Sequence, residues 1–282
     1  MTRIRCGRFI LVLVAALVLR ASDGAAQSHA TVTTQPGAIV ERLVYVGDQS
    51  AAPWEYLTPD GQPAGFNVDL LREISRISGR HIEVRLGPWA RMRQALDERQ
   101  ADLAILATST SRRDRYDYLT FVWTRQQSAV FPMSRRTPPP TGLHDLAREV
   151  VAIEGKSVMQ DLLAEVPEER RPALMPVTSP AEALRAVRSG AATLALGNQI
   201  TLRRAARELG IDDVDSREVK AMAYFFVTSQ GRLQEFDWLE PTLATLKEEG
   251  VLARLVERHL VERTASPRLS STLVASGVAV AL

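Results

Sequence analysis

From residue 42 onward the chain alternates short apolar runs with longer stretches whose apolar residues return every three or four positions. These are the rhythms of strands and of amphipathic helices. RLVYVGD (42–48) reads as a strand that ends at Gly47 and Asp48, and PDGQPAG (59–65) is turn chemistry. FNVDLLREISRISG (66–79) places Val68, Leu71, Ile74 and Ile77 on one helical face, with Asn67 and Asp69 at its start and Gly79 at its end. HIEVRL (81–86) alternates as a strand, and WARMRQALDER (89–99) puts Trp89, Met92 and Leu96 on one face. LAILA (103–107) is a further strand, completing a βαβαβ unit.

Three consecutive prolines in RRTPPPTG (135–142) can belong neither to a helix nor to a central strand, so the pattern breaks there. A second α/β series follows: strand EVVAIEG (149–155), a helix over about 157–164, strand ALMPV (173–177), helix SPAEALRAVRSG (179–190), strand ATLALG (192–197) and helix QITLRRAARELG (199–210). Two units of similar size predict two lobes. AYFFVTS (223–229) is then a strand, and LEPTLATLKEEGVLARLVERHL (239–260) gives amphipathic helices with Leu243, Leu246, Leu252 and Leu255 inward.

The segment DLAILATSTSRRDRYDY (102–118) carries the first candidate chemistry. If LAILA is a buried parallel strand, the Ser/Thr cluster and Arg112–Arg113 lie just beyond its carboxyl end, where open α/β sheets bind ligands. Hydroxyls and a forked cationic donor suit a carboxylate or phosphate. A loop with solvated arginines is the alternative reading of this stretch alone.

Composition changes the picture at the ends. The 282 residues are 45% hydrophobic and 24% charged, the balance of a soluble globular protein. Arg3, Arg5 and Arg8 precede FILVLVAALVL (9–19) and the small residues of GAAQ (24–27), which predicts a secretory signal peptide over 1–26 and a periplasmic protein. Removing those residues leaves 31 basic and 32 acidic side chains, so nothing argues for nucleic acid. It also removes Cys6, the single cysteine, and with it disulfide, thiol and cysteine-metal chemistry. The four histidines show no metal-ligand spacing, and neither metal nor cofactor is expected. After Pro267 the chain is apolar and uncharged from Leu269 onward. That tail (267–282) reads as a frayed end, an interfacial segment, or the first part of a membrane span.

Four motifs in order and at suitable spacing carry a resemblance: GDQSAAPWEYLTPDGQPAGFNVDLLREI (47–74), ALDERQADLAIL (95–106), SPAEALRAVRSGAATLALGN (179–198) and the 239–260 segment. Over 41–262 the chain resembles the bacterial extracellular solute-binding proteins of family 3, the polar amino-acid binders of ABC importers. The resemblance implies an α/β fold of the periplasmic binding protein type II class, with a ligand cleft between two lobes and two crossing hinge strands. Lobe 1 is then expected over 41–128 and 226–262, lobe 2 over 132–222, and the crossings near SAVF (128–131) and AYFF (223–226).

The resemblance also implies site residues. Its Ser/Thr-x-x-Arg pattern falls on Ser109 and Arg112, the arginine pairing with the ligand carboxylate. A one-residue shift would choose Thr110 and Arg113. Across the cleft, EGKS (154–157) opens a helix whose free N–H groups would help hold an anion, with Ser157 the expected contact and Lys156 either a contact or solvated. Trp89 and Trp54 are expected at the ligand or in the core, and Asp48 in the side-chain pocket or capping a turn. Ala51 stands where the family is often aromatic. At Asn198, amino-acid binders carry an aspartate for the ligand ammonium. The neutral amide costs such a ligand on the order of 3 kcal/mol, so either the ligand lacks that ammonium or Asp48 or another carboxylate replaces the charge.

Three functions share the implied fold. One is a monomeric binding protein that delivers a small carboxylate-bearing solute to the permease of an ABC importer. Another is the sensing domain of a membrane receptor. The third is a cyclohexadienyl dehydratase-like enzyme, for which Glu55 and Glu154 are the nearest general acids, both read as surface or turn residues; no enzymatic role is expected.

Overall fold

The computed structural model describes residues 42–261. The expected signal segment (1–26) and apolar tail (267–282) lie outside the described residues. The first series is β1 (Arg42–Asp48), the short strands β2 (Ser50–Ala51), β3 (Glu55–Leu57) and β4 (Pro63–Ala64), α1 (Phe66–Ser78), β5 (His81–Gly87), α2 (Trp89–Asp97) and β6 (Ala104–Ala107). The predicted face of α1 is buried at Val68, Leu71 and Ile74, and Gly79 ends the helix in a left-handed turn, its N–H donating to Ser75 O. Because a helix carries the chain back over the sheet, β1 and β5 pair in parallel. Tyr45 of β1 bridges in parallel to Leu103, at the start of the LAILA run, and β6 is buried at every residue.

After the short turn of helix α3 (Thr110–Arg113) comes β7 (Tyr116–Pro132), and then β8 (Val150–Glu154), α4 (Val158–Ala164), β9 (Ala173–Val177), α5 (Pro180–Arg188), β10 (Leu194–Asn198) and α6 (Gln199–Glu208). These form the second lobe, in which β8 pairs in parallel with both β9 and β10. Ser157 and Ser179 begin α4 and α5 by accepting from the N–H groups of Gln160 and Glu182. The chain returns through β11 (Val214–Ser229) and closes with α7 (Leu239–Glu248) and α8 (Val251–His259). Leu246 and Leu255 of these helices are buried in the first lobe's core with Tyr45, Phe66, Ile74 and Phe226, and Leu243 and Leu252 pack against it.

The two long strands join the lobes. β7 and β11 pair antiparallel along almost their whole length, β11 also pairs with β6, and β7 also pairs with β10. One six-stranded sheet, ordered β6-β11-β7-β10-β8-β9, therefore runs from one lobe into the other. In β7, Gln127 to Val130 pair with Asn198 to Ala195 of β10. Register shifts at Glu218/Lys220 and around Tyr224 to Val227 add twist along this ribbon.

Candidate functional site

The parallel strands of both lobes end at one cleft. β1 stops at Asp48, β8 at Glu154 and β10 at Asn198, and β6 leads into Ser109 and Arg112. That follows from the βαβ topology, which points the carboxyl ends of successive parallel strands the same way. The cleft has a volume of about 120 Å³, suited to a small solute. Asp48, Trp54, Trp89, Arg112, Ser157 and Asn198 all border it, and Ser109 lies buried beside Arg112.

At one side of the cleft Arg112 crosses between lobes. It is 1% exposed whereas Arg113 is exposed, so the structure aims the first arginine of the pair inward. Its Nε donates to Asp161 Oδ2 at 2.6 Å and its Nη2 to Lys156 O at 3.1 Å, both from the second lobe. Nη1 donates to Ala107 O at 3.4 Å. Asp161 also accepts from Arg93 Nη1 at 3.4 Å and Ser109 Oγ at 3.5 Å. Burial lowers the Arg112 pKa from its ordinary value, with the neighbouring Arg93 charge acting the same way. The Ser109–Arg112 cradle thus holds a carboxylate supplied by the protein itself.

Lys156 organises this side through its carbonyl. Its φ of 60° lies in the left-handed region, and its carbonyl accepts from Trp89 Nε1 (3.0 Å), Arg93 Nη1 (2.8 Å) and Arg112 Nη2. The N–H groups expected to be free for an anion are engaged: Lys156 N donates to Gln160 Oε1, Gly155 N to Val177 O and Ser157 N to Glu154 O. A carbonyl, not an amide edge, therefore faces the first lobe here.

Deeper in, both ends of the Asn198 amide are engaged. Its Oδ1 accepts from Trp54 Nε1 (2.9 Å), Thr201 N (3.1 Å) and Thr201 Oγ1 (3.1 Å), and its Nδ2 donates to Gln126 O at 3.3 Å. An aspartate would keep the first three partners and leave that carbonyl facing an acceptor. Trp54, 1% exposed, meets Phe66 edge-on at 5.8 Å and covers the guanidinium of Arg125 at 4.0 Å. The Tyr224 ring also stands against the Arg125 guanidinium, at 4.2 Å. Arg125 is buried, and its one hydrogen bond among the described residues runs from Nη2 to Asn67 Oδ1 at 3.3 Å. Burial lowers its pKa.

Three carboxyl groups complete the floor, and two of them correct the sequence reading. Glu55 is not a surface residue. It is 5% exposed, its Oε2 accepting from Tyr45 Oη (2.5 Å) and Asn67 Nδ2 (2.7 Å) and its Oε1 from Asp48 N (2.9 Å). A Cβ at Gly47 would lie 2.6 Å from that carboxyl, so only glycine lets Glu55 approach β1. Glu154 likewise lines the cleft with Asp48, and its Oε1 is buried without a partner. Burial pushes Asp48 up to about 6 and, with the neighbouring Asp48 charge, Glu154 well above the usual carboxyl range.

Sequence reasoning passed over Arg93, Arg125, Asp161 and the depth of Glu154. No short motif marks them. The available signals were weak: a charge within the long strand β7 for Arg125, and an acidic residue in the first turn of α4 for Asp161. Among the described residues no group of His, Cys, Asp and Glu has the arrangement of a metal site, and no helix is long and apolar enough to cross a membrane.

Comparison with known proteins follows this geometry. The model of the bacterial extracellular solute-binding proteins, family 3, matches residues 43–262. The chain belongs to that family. The amino-acid-binding protein AabA of Dichelobacter nodosus is 22% identical over 218 residues, covering 75% of this chain and 85% of AabA. Among solved structures, a histidine kinase sensor domain with similarity to periplasmic binding proteins is 27% identical with a TM-score of 0.71, covering 78% of this chain and 96% of that domain. The substrate-binding protein of an amino acid ABC transporter is 14% identical with a TM-score of 0.67, covering 78% and 99%. The fold is the two-lobed one of this family, and the family and AabA are binding proteins rather than enzymes.

Proposed function

We propose that this family 3 protein works in the periplasm by enclosing a small carboxylate-bearing solute between its lobes and delivering it to the permease of an ABC importer. The observation that carries this reading is the cleft itself. Buried charged and aromatic side chains from the carboxyl ends of strands in both lobes converge there, beside two crossing strands that can flex. A solute that touches Asp48 and Trp54 from one lobe and Ser157 from the other binds the closed arrangement better than an open one, and that differential affinity drives closure. Trp89 supports the wall, and Ser109 and Arg112 hold the lobes together through Asp161. Asn198 acts by fixing Trp54, which favours a ligand that does not depend on a carboxylate at that position for an ammonium.

A thermal-shift screen of common amino acids beside amine-free organic acids tests it. A ligand at ~100 times its Kd stabilises by about 2.7 kcal/mol. No shift with any carboxylate would refute the reading. The 27% identity to a kinase sensor domain favours a second reading, in which the same cleft serves a membrane receptor. Deleting the protein should abolish uptake of the bound solute in the first case, and should leave uptake intact while silencing a response to it in the second.

A further inference from the structure

We propose that Arg125, not Arg112, receives the anionic group of the solute, and that Arg112 with Asp161 is a clasp between the lobes. This rests on the solute-binding reading above. Both guanidinium groups border the same cleft, but their donors are spent differently. Arg112 has protein acceptors on Nε, Nη1 and Nη2, one of them a carboxylate at 2.6 Å. Three of its five N–H donors are met, and the carboxylate partner its fork would offer a ligand is already supplied by Asp161.

Arg125 is in the opposite condition. Its Nε is buried without a partner, and the single bond of its Nη2 reaches a neutral amide. Glu55 supplies the nearby negative charge but no hydrogen bond, because Tyr45, Asn67 and the Asp48 N–H occupy its oxygens. A buried guanidinium is stable when its donors are met by an acceptor, and this one lines a cavity instead of a packed wall. Trp54 and Tyr224 at 4.0 and 4.2 Å fix the plane of the fork, and a planar fork with free edge donors is the geometry that captures a carboxylate through two hydrogen bonds. Asn198 is then a positioning residue: it holds the Trp54 indole and, through Gln126 O, the strand next to Arg125. The ligand class is a small carboxylate whose anionic end meets the free edge of that fork.

The test starts from a thermal-shift panel of the amino acids, their 2-oxo and 2-hydroxy counterparts, and the matching carboxamides. The carboxylate giving the largest shift is titrated into ¹⁵N-labelled protein while the Arg125 Nε–H signal is followed, assigned through its contacts with the Trp54 and Tyr224 rings. The expected result is a signal that moves in step with occupancy, a carboxamide that does not bind, and an Arg125→Lys variant that binds about 30-fold more weakly. Arg112→Lys should cost less than Arg125→Lys. An Arg125 signal unmoved at saturation overturns the proposal, as does undiminished affinity in a folded Arg125→Lys. If that variant does not fold, the signal in the wild-type protein decides alone. A panel in which no carboxylate shifts the melting temperature overturns the solute reading and this proposal together, whereas binding without Arg125 overturns only the second.

Discussion

Two buried arginines in one cleft behave as different chemical objects. Arg112 stands where motif matching points, and its three nitrogens meet acceptors within the protein. Arg125 stands where no motif points, and its Nε meets none. The difference teaches that residue type and position along the sequence do not define a binding group. Binding capacity resides in donors and acceptors that the folded protein leaves unpaired, because only these gain free energy when a ligand arrives. The same contrast separates the carboxyl groups: Glu55 has three donors on its two oxygens, while Glu154 keeps one oxygen without a partner.

Removing Asp161 should be the strongest way to break this contrast. Asp161→Ala leaves Arg112 and Arg93 buried together without their shared carboxylate. The loss of a buried pair's partner costs about 4 kcal/mol, to be read as a lowered midpoint in urea unfolding. Acetate should restore part of that loss by entering the emptied cradle, and a variant insensitive to acetate would show that the cradle accepts no free carboxylate.

The acid pair comes next. Asp48 lies at about 6 in the folded protein against an ordinary 3.8, and Glu154 is raised as well. A raised folded pKa means that the folded form holds the proton more tightly than the unfolded chain. The associated stability is complete below about pH 4 and is lost as pH rises through about 6. For Asp48 this amounts to about 3 kcal/mol at most. Melting temperature measured from pH 4 to 7 should fall more steeply in the wild type than in Glu154→Gln; parallel curves would show that Glu154 does not titrate in this range.

Smaller effects sharpen the picture. Asn198→Asp should lower stability by about 2 kcal/mol, since the Gln126 carbonyl loses its donor and meets a carboxylate. A variant as stable as the wild type would mean that this hydrogen bond is unimportant. Trp54→Phe keeps an aromatic face over Arg125 but loses the N–H to Asn198, at about 1 kcal/mol in a denaturant midpoint.

Much of the fold was legible because its elements bury one regular face. RLVYVGD is β1 at the residues predicted, and the Val68, Leu71 and Ile74 stripe of α1 is buried as its spacing required. The long ribbon was harder to see. In β7 the buried positions Arg125 and Gln127 alternate with the half-buried Thr124 and Gln126, but all four are polar, so no apolar alternation marks the strand. Glu55 and Glu154 were misread for a related reason: a carboxylate beside turn residues looks solvated until the fold brings Tyr45 and Asn67, or Asp48, against it.

The sequence by itself determined the two α/β series, their order, the strand ends on which chemistry is displayed, and the family to which they correspond. Those properties are written in local periodicity and short motifs, which the chain carries before it folds. Tertiary structure alone decided which of those side chains remain available. Asp161 reaches Arg112 across 49 positions and Asn198 reaches Trp54 across 144, while Arg125 is left against two rings with donors to spare. Pairing of that kind depends on distances between segments far apart in the chain, and no local pattern records them.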